Sequence, residues 1–264
     1  MTTSQSLRRT ALITGASAGL GTEFARQLAA RNLNLVLVAR RQERLDELAR
    51  ELADEYGISV TTFAADLSER DAPERILGFV QGQGIEVDYL VNNAGSAGPN
   101  LLEERDWNKQ ATFFELMMIS VAHMCHLFVP PMQERGFGRV LNVASVAGRM
   151  PRRRDCNYGP SKAYLIALSE ALHQTVKDAN VLVCALCPGF THTDFHSTAG
   201  MLDMKNNMPK FLWYDAPVVV KEGLKALEAG KSVYVSGRLY RVADPLFQSV
   251  FTRNLLKRLS PTRP

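Results

Sequence analysis

Tyr158 and Lys162, four positions apart, follow Ser145 by thirteen and seventeen positions and form the most informative pattern in this chain. Two residues four apart lie one above the other on the same face of a helix. The ammonium of Lys162 can then stabilise the phenolate of Tyr158 and lower a phenol pKa that is ordinarily about 10. Such a tyrosine can exchange a proton with an alcohol or a ketone at neutral pH, so the pattern indicates chemistry at a hydroxyl or carbonyl group.

A glycine-rich turn with the sequence TGASAGLG spans residues 14–21. Its glycines, Gly15, Gly19 and Gly21, permit a tight turn, close approach of the backbone to a pyrophosphate and close packing of a helix on a strand. Ser17 and Leu20 lie inside the same turn. The spacing differs from the more familiar GxGxxG, but the position between an apolar run and an amphipathic run places phosphate at a helix N-terminus. The turn therefore predicts a dinucleotide site.

Short apolar runs alternate with longer amphipathic runs along the chain. The predicted strands are Ala11–Thr14, Leu35–Ala39, Val60–Ala65, Tyr89–Asn92, Arg139–Ala144, Val181–Leu186 and Val233–Val235. Predicted helices include Leu20–Arg31, Gln42–Tyr56 and Ser161–Lys177. This alternation is typical of a doubly wound α/β fold with helices on both faces of a parallel sheet. With no internal repeat or linker, we expect one domain over residues 1–264.

Polar motifs follow several predicted strands, at the edge where open α/β sheets bind their ligands. They are Asp66-Leu67, Asn92-Asn93-Ala94-Gly95, Ser145 and Pro188-Gly189. After the second strand, where an NAD site would place an acid on the ribose, the chain has Arg40 and Arg41. Guanidinium groups there can pair with a 2′-phosphate, which favours NADP(H) over NAD(H). The alternative is that one arginine only begins a charged helix face with Glu43 and Arg44.

Together these motifs resemble the short-chain dehydrogenase/reductase family over nearly the whole chain. The residues that carry the resemblance are TGASAGLG, NNAG at 92–95, NVASVAG at 142–148, YGPSK at 158–162 and Pro188-Gly189. The resemblance implies a single-domain Rossmann fold with the strand order 3-2-1-4-5-6-7. It also implies an enzyme that transfers hydride between a nicotinamide and a carbonyl or secondary alcohol, a small-molecule substrate.

The resemblance implies a role for each of these residues. Tyr158 would be the proton donor in reduction and the base in oxidation, Ser145 would hydrogen-bond the substrate oxygen, and Lys162 would bind the nicotinamide ribose. Asp66 would lie near the adenine, and Thr191 or Thr193 near the carboxamide. The full cofactor-binding set is Gly15, Ser17, Gly19, Leu20, Gly21, Arg40, Arg41, Asp66, Leu67, Asn92, Ala94, Gly95, Tyr158, Lys162, Pro188, Gly189, Thr191 and Thr193.

One position departs from the family pattern. The family usually has an asparagine on the long helix before the fifth strand, where it supports a water relay from the lysine to solvent. Counting back from residues 129–132 places Met117 there, and a shifted alignment places Ser120 there. Methionine lacks the hydrogen bonds of an amide, so we expect proton resupply to be slower or to use backbone carbonyls and water. Met117 favours the alternative of a nucleotide-binding sensor or scaffold with weak catalysis; an NAD-linked alcohol dehydrogenase is a second alternative.

The periodic pattern fails from His192 to Tyr214, and we predict a substrate loop over about residues 190–215. Its flexible and aromatic apolar residues are Met201, Leu202, Met204, Met208, Phe211, Leu212 and Trp213. They favour an apolar ketone or a 3-oxoacyl-type substrate, and the alternative is a flap that only packs on the domain. His192, Asp194 and His196 resemble a metal cluster, but we expect no metal site because the chemistry needs none.

Two further segments carry alternatives. Arg152, Arg153 and Arg154 can attract an acidic substrate, although a solvated loop is the simpler interpretation. At about 244–260, Phe247, Phe251, Leu255 and Leu259 have helical spacing beside basic residues. We expect that segment to pack on the domain or on a second subunit rather than to touch a membrane.

Bulk composition sets the remaining expectations. The 264 residues include 46% hydrophobic and 22% charged residues, as in an ordinary globular protein. A net charge of +4 does not argue for nucleic acid. No run is as long as a membrane span, and the apolar stretch after Arg8-Arg9 is too short for a signal peptide. Cys184 and Cys187 lie three apart on a predicted strand and so point to opposite faces. We expect reduced thiols, a cytoplasmic location and a homodimer or homotetramer.

Overall fold

The computed structural model describes residues 8–150, 155–192, 213–249 and 251–252. Within them, the strands of the main sheet are β1 Thr10–Thr14, β2 Asn34–Ala39, β3 Val60–Ala64, β4 Tyr89–Asn92, β5 Gly138–Val143, β6 Val181–Cys187 and β9 Val233–Val235. This seven-stranded sheet has the order β3-β2-β1-β4-β5-β6-β9, and every pair of neighbouring strands is parallel. The seven predicted strands are confirmed, with ends that differ by one residue at most, and so are the doubly wound fold and its strand order.

Helices cover both faces of this sheet. They are α1 Gly19–Ala29, α2 Gln42–Tyr56, α3 Ala72–Gly82, α4 Trp107–Phe114, α5 Ser120–Glu134, α6 Tyr158–Val176, α7 Ala216–Glu228 and α8 Arg238–Gln248. Alternate residues of each strand feed opposite core clusters, as the two-residue period of a strand requires. Ile13 of β1 packs in the cluster of α1, α2 and α7, whereas Leu12 packs in the cluster of α3 and α5.

Two predicted helix boundaries are wrong. Helix α1 ends at Ala29 rather than Arg31, because the chain turns through Asn32, whose φ is +65°. Helix α6 begins at Tyr158 rather than Ser161. The early start matters because it places Tyr158 and Lys162 on the same helix, one turn apart.

The stretch from Trp107 to Glu134 is continuously helical, with a π-helical turn at Glu115–Ile119 between α4 and α5. By length and composition it could cross a membrane, with a mean hydropathy of 1.5. The expectation that no run reaches a membrane span is therefore wrong by these criteria. Met124 and Phe128 are buried in the core beneath the sheet, and a core helix of a folded domain passes the same test.

A second, two-stranded parallel sheet pairs β7, Phe190–His192, with β8, Trp213–Asp215. These strands are the two ends of the predicted substrate loop; the loop between them, Thr193 included, lies outside the described residues. Arg152, Arg153 and Arg154 also lie outside them.

The predicted C-terminal segment is corrected in its described part. Helix α8 begins at Arg238, six residues before the expected start, and ends at Gln248. Phe251 lies beyond the helix, almost fully exposed. Among the described side chains of α8, the large exposed apolar ones are Leu239, Val242 and Leu246, and the side chain of Phe247 is not among those described. Leu255 and Leu259 lie outside the described residues.

Candidate active site

The carboxyl ends of the central strands open into one cleft of about 1100 Å³. It brings together sequence motifs that lie as far apart as Gly15 and Thr191. The predicted site residues that line it are Gly15, Ser17, Gly19, Leu20, Arg40, Arg41, Asp66, Leu67, Ala94, Gly95, Ser145, Tyr158, Lys162, Pro188, Gly189 and Thr191. Gly21 and Asn92 are not among the lining residues, and Thr193 lies in the part of the chain that the structure does not describe.

The glycine turn is held from below by the segment after β4. The Asn93 side chain donates to the carbonyl oxygen of Thr14 at 2.9 Å, and the Thr14 hydroxyl accepts from the Asn93 N–H at 3.0 Å. Gly15 and Gly19 have φ values of +66° and +57°, a region that favours glycine. A Cβ on Gly21 would lie 2.1 Å from the oxygen of Gly15. Gly21 therefore serves the packing of the turn, which explains why it does not line the cleft.

The N-terminus of α1 opens onto this cleft. Its N-cap residue, Ala18, makes no side-chain hydrogen bond to the first turn, and that turn carries no acidic residue. The first backbone N–H groups of a helix have no partner within the helix and attract anions. The turn thus fits the diphosphate of a dinucleotide, since it leaves donors and space where a Cβ or a capping carboxylate would stand.

Two guanidinium groups stand beside the turn at the end of β2. Arg41 donates to the Ser17 hydroxyl at 3.0 Å and to the Ser17 carbonyl at 3.3 Å. The Arg40 guanidinium lies 3.7 Å from the carboxylate of Asp66 and is largely exposed. Burial acts to raise the pKa of Asp66, but hydrogen bonds from Ser68 and the charge of Arg40 together hold it below its ordinary value. Asp66 is therefore an anion at neutral pH. Arg41 and Ser17 place a guanidinium and a hydroxyl group next to each other beside the glycine turn.

Ser145 follows β5 and begins a short 3-10 turn, Val146–Gly148. Its hydroxyl oxygen accepts from the Ala147 N–H at 3.1 Å. The turn lies directly against α6: a Cβ on Gly148 would approach the backbone nitrogen of Ala163 and the carbonyl carbon of Lys162 to 2.6 Å. The absence of a side chain at Gly148 lets the serine turn and the tyrosine helix line the same cleft.

Lys162 is buried, with 5% of its surface exposed. Its ammonium donates to the backbone oxygen of Val143 at 2.8 Å and lies 5.7 Å from the ring centroid of Tyr158. Burial lowers the pKa of Lys162 to about 8, because removal from water disfavours the charged form. The ammonium form still dominates at pH 7, so a positive charge stands close to the tyrosine.

A family profile described as short chain dehydrogenase matches residues 9–201. That match spans more than half of the chain. The chain belongs to the short-chain dehydrogenase family. The sheet order described above is the one that the resemblance to this family implies.

Curated relatives agree with this assignment. A very-long-chain 3-oxoacyl-CoA reductase of Anas platyrhynchos is 33% identical over 188 residues, which cover 69% of this chain and 60% of that protein's length. Nodulation protein G of Rhizobium sp. (strain N33) is 32% identical over 245 residues, covering 89% of this chain and 95% of the relative.

A solved structure is also similar. It is a short-chain dehydrogenase from Sphingobium yanoikuyae in complex with NADPH, with a TM-score of 0.81 and 26% identity. The superposition covers 97% of this chain and 98% of that one.

The structure distinguishes between Met117 and Ser120, the two residues that the sequence offered for the position of the family's asparagine. Met117 lies in the π-helical turn, lines the cleft, and its sulfur accepts from the Ser96 N–H at 3.4 Å. A Cβ on Gly95 would lie 3.3 Å from that sulfur and 3.8 Å from the Lys162 ammonium. Ser120 is buried elsewhere and donates to the Leu116 carbonyl at 2.8 Å. Met117 is thus the residue beside Lys162.

Asn92 requires a correction, because its side chain is buried beneath the cleft instead of lining it. It donates to the side-chain oxygen of Asn142 at 2.9 Å, and Asn142 in turn donates to the Ser169 hydroxyl at 2.9 Å. Asn92 and Asn142 are register partners on β4 and β5. The pair therefore ties two strands to α6, and the neighbouring Asn93 lines the cleft in its place.

The remaining candidates give little evidence of a metal. Among the described residues, no group of three His, Cys, Asp or Glu side chains is placed to hold an ion. His192 stacks on Trp213 with ring centroids 5.1 Å apart, and Asp194 and His196 lie outside the described chain. Cys184 and Cys187 are free and lie in different core clusters, which confirms that they point to opposite faces of β6.

Several lining residues were missed from the sequence: Asn93, Ser96, Phe113, Cys156 and Asn157. Asn93 lies inside the NNAG motif, and Cys156 and Asn157 immediately precede YGPSK. That proximity was the available signal. Phe113 carries no such signal. It reaches the cleft because α4 crosses it, with the Phe113 ring where a Cβ on Gly98 would stand.

Proposed function

We propose that this protein is an oxidoreductase, an NADP(H)-dependent carbonyl reductase or alcohol dehydrogenase that acts on an apolar ketone or a 3-oxoacyl-type substrate. The observation that carries the proposal is a single cleft lined both by Ser145, Tyr158 and Lys162 and by the glycine turn at the N-terminus of α1, which has no side-chain cap. One end of this cleft fits a diphosphate, and the other holds groups able to move a proton.

The cofactor would be held by residues along the cleft. The glycine turn would bind the diphosphate, Asp66 and Leu67 would lie at the adenine end, and Lys162 and Thr191 would lie at the nicotinamide end. When bound, the nicotinamide supplies or accepts the hydride at the substrate carbon.

The protein's own contribution is proton transfer and orientation. In reduction the Tyr158 hydroxyl gives its proton to the substrate oxygen, and in oxidation the phenolate takes it back. The Ser145 oxygen already accepts from Ala147, so its O–H is free to donate to the substrate oxygen and fix its position. Lys162, held by the Val143 carbonyl, supplies the charge that stabilises the phenolate.

Preference for NADP(H) over NAD(H) is supported by three neighbouring residues, Ser17 in the glycine turn and Arg40 and Arg41 at the end of β2. Guanidinium and hydroxyl donors there suit a 2′-phosphate. The only acid near them, among the described lining residues, is Asp66 on the next strand, and it faces Arg40. The similar structure from Sphingobium yanoikuyae was solved with NADPH, which agrees with this preference.

The substrate class is supported by the apolar wall of the cleft and by the relatives. Phe113, Leu116, Met117 and Phe190 line it, and such side chains favour a greasy ligand with few polar groups. One relative is a very-long-chain 3-oxoacyl-CoA reductase, whose substrate carries a ketone on an acyl chain.

A sensor or scaffold with weak catalysis is a second candidate, favoured by one observation. The Met117 sulfur and the Lys162 ammonium both lie next to Gly95, and a thioether lacks the hydrogen bonds by which the asparagine of the family pattern would support a water relay from the lysine. A slow proton resupply would leave cofactor binding intact and turnover low.

We further propose a cytoplasmic protein that forms a homodimer or homotetramer. Trp107, Ile119 and Tyr164 are large side chains exposed on neighbouring helices, and a second copy of the chain would cover them. Light scattering after gel filtration, on the wild type and on Ile119→Lys, tests this: a monomeric wild type contradicts it.

The function is tested by following NADPH consumption over a panel of ketones and 3-oxoacyl thioesters, with NADH and the Tyr158→Phe variant as controls. We expect turnover that prefers NADPH and is lost in the variant. Tight NADPH binding without turnover on any carbonyl would instead favour the sensor.

A further inference from the structure

Two buried amides form a bridge beside the start of α6. Asn157, the residue before Tyr158, donates from Nδ2 to Oε1 of Gln110 at 2.6 Å and to the carbonyl oxygen of Pro99 at 2.7 Å. Gln110 lies on α4, forty-seven positions earlier, and only 1% of it is exposed. The bridge therefore connects the helix that carries Tyr158 to α4 and to the segment at Pro99, both of which contribute residues to the lining of the cleft.

Gln110 extends this bridge into the loop before α4. Its Nε2 donates to the carbonyl oxygens of Asn100 and Glu104, at 3.2 and 3.3 Å. Both hydrogens of each amide are thus used, and each amide acts as a donor in two directions. No hydroxyl or carboxylate could replace either group, because neither offers two donors.

The Asn157 side chain is held at a cost. Its Oδ1 is buried without a hydrogen-bond partner among the described residues, and such an acceptor ordinarily costs about 1–3 kcal/mol. As the N-cap residue, Asn157 would be expected to cap the helix with this oxygen. It makes no cap; Asp155 instead accepts from the Gly159 N–H at 2.8 Å. The Asn157 side chain therefore makes its hydrogen bonds to Gln110 and Pro99 and not to its own helix.

Tyr158 stands where a helix is least constrained. It is the first residue of α6, and the first backbone N–H groups of a helix have no partner within it. Helix ends therefore open more readily than the interior. A proton donor placed there needs an external support if its hydroxyl is to stay aligned with Ser145.

We propose that Gln110 and Asn157 are positioning residues for Tyr158, fixing the first turn of α6 against the cleft wall. The inference rests on the proposed function of Tyr158 as the group that exchanges a proton with the substrate. Breaking the bridge lets the first turn move away from Lys162. The phenolate is then less stabilised, and Tyr158 ionises at higher pH.

The first test is Asn157→Leu, which keeps the approximate size of the side chain, removes both donors and adds no charge beside Tyr158. We expect kcat to fall about tenfold, with the dissociation constant of NADPH nearly unchanged. The pH midpoint of alcohol oxidation is expected to move upward. Gln110→Ala should give the same changes, and the double variant Gln110→Ala/Asn157→Leu no more than either single one, because both residues act through one bridge.

Ser169→Ala is the matched control. It removes a buried hydrogen bond, the one from Asn142, on the same helix but three turns beyond Tyr158. We expect it to lower Tm as the bridge variants do and to leave the pH profile of kcat in place. If the bridge variants lower only Tm, as Ser169→Ala does, the pair is merely structural and the proposal is overturned.

A measurement that needs no turnover separates this inference from the proposed function. The ionisation of Tyr158 in the NADP⁺ complex is followed by ultraviolet difference titration against Tyr158→Phe. An upward shift in Asn157→Leu supports positioning even if no carbonyl on the panel is reduced, in which case only the proposed activity fails. An unshifted titration overturns the positioning role even if the wild type is an active reductase.

Discussion

Lys162 holds its ammonium 5.7 Å from the ring centroid of Tyr158 while donating at 2.8 Å to the carbonyl oxygen of Val143. The hydrogen bond joins α6 to the end of β5, so the charge is fixed by the sheet and not only by its own helix. Ser145 lies two residues beyond Val143. One backbone segment therefore positions both the serine and the lysine.

Removing the Tyr158 hydroxyl should abolish most of the activity. We expect Tyr158→Phe to lower kcat/KM by about 10²–10⁴-fold, because the substrate oxygen loses its proton donor. NADPH binding, measured by calorimetry, should persist. Tyr164→Phe, a change on the exposed side of the same helix, is the control and should be silent. Equal losses in the two variants would contradict the role of Tyr158.

The guanidinium groups after β2 should decide the choice of cofactor. We expect Arg41→Ala to raise KM for NADPH by about 10–100-fold, the loss of a charge-assisted contact to phosphate, with little effect on NADH. Steady-state kinetics with both cofactors measure this. Arg44→Ala, which removes an exposed arginine of α2 outside the cleft, should change neither value. A similar rise for NADH and NADPH would mean that Arg41 holds the glycine turn and does not read the phosphate.

Met117 should limit the supply of protons to the site. We expect Met117→Asn to raise kcat or shift its pH profile, because an amide beside Lys162 can hydrogen-bond a water that the sulfur does not hold. Met117→Leu is the control, since it removes the sulfur that accepts from Ser96 without adding an amide. Identical turnover and pH profiles in wild type and Met117→Asn would refute a limiting relay.

Burial of Lys162 should make stability depend on pH. Its pKa is about 8 in the folded protein, against an ordinary value of 10.5. Between these values the unfolded chain keeps a proton that the folded protein has lost, so the free energy of unfolding should rise with pH. The rise should exceed that of Lys162→Met by up to roughly 3 kcal/mol.

Urea unfolding of both proteins without cofactor, at pH 8 and at pH 10, measures this difference. The comparison with Lys162→Met removes the opposite contribution of buried thiols such as Cys125 and Cys187, whose pKa burial raises to about 12. Parallel pH dependences in the two proteins would show that Lys162 is better hydrated than its burial indicates.

One thiol should react much faster than the others. Cys156 is exposed and lines the cleft two residues before Tyr158, whereas Cys125, Cys184 and Cys187 are buried. We expect iodoacetamide to label Cys156 first, with loss of activity and slower labelling when NADPH is bound. Mass spectrometry of labelled peptides measures this, and Cys156→Ser should be resistant and active. Fast labelling of a buried cysteine would contradict the packing of β6 or α5.

Much of the site could be predicted from the chain because its chemistry lies in short motifs. The glycine turn and Ser145 follow strands, and Tyr158 begins the helix that carries Lys162 one turn later. A parallel sheet brings such strand ends and helix starts to one edge. Strand boundaries were accurate for the same reason: buried parallel strands are short apolar runs between turn residues. The prediction that Asn92 lines the cleft, where Asn93 in fact does, shows the limit of reasoning from a motif. Adjacent residues at a strand end point in different directions, and the motif alone does not say which one faces the ligand.

What the sequence by itself determined is the fold class and the family, and it predicted the residues that would exchange a proton. Only the tertiary structure decided that Gly148 lets the serine turn touch α6, that Met117 rather than Ser120 stands beside Lys162, and that Gln110 bridges to Asn157. Each of these depends on contacts between residues far apart in the chain. The sequence pattern of one helix or strand shows which of its residues are buried. Which residue a buried amide or methionine contacts depends on how the helices and strands pack together.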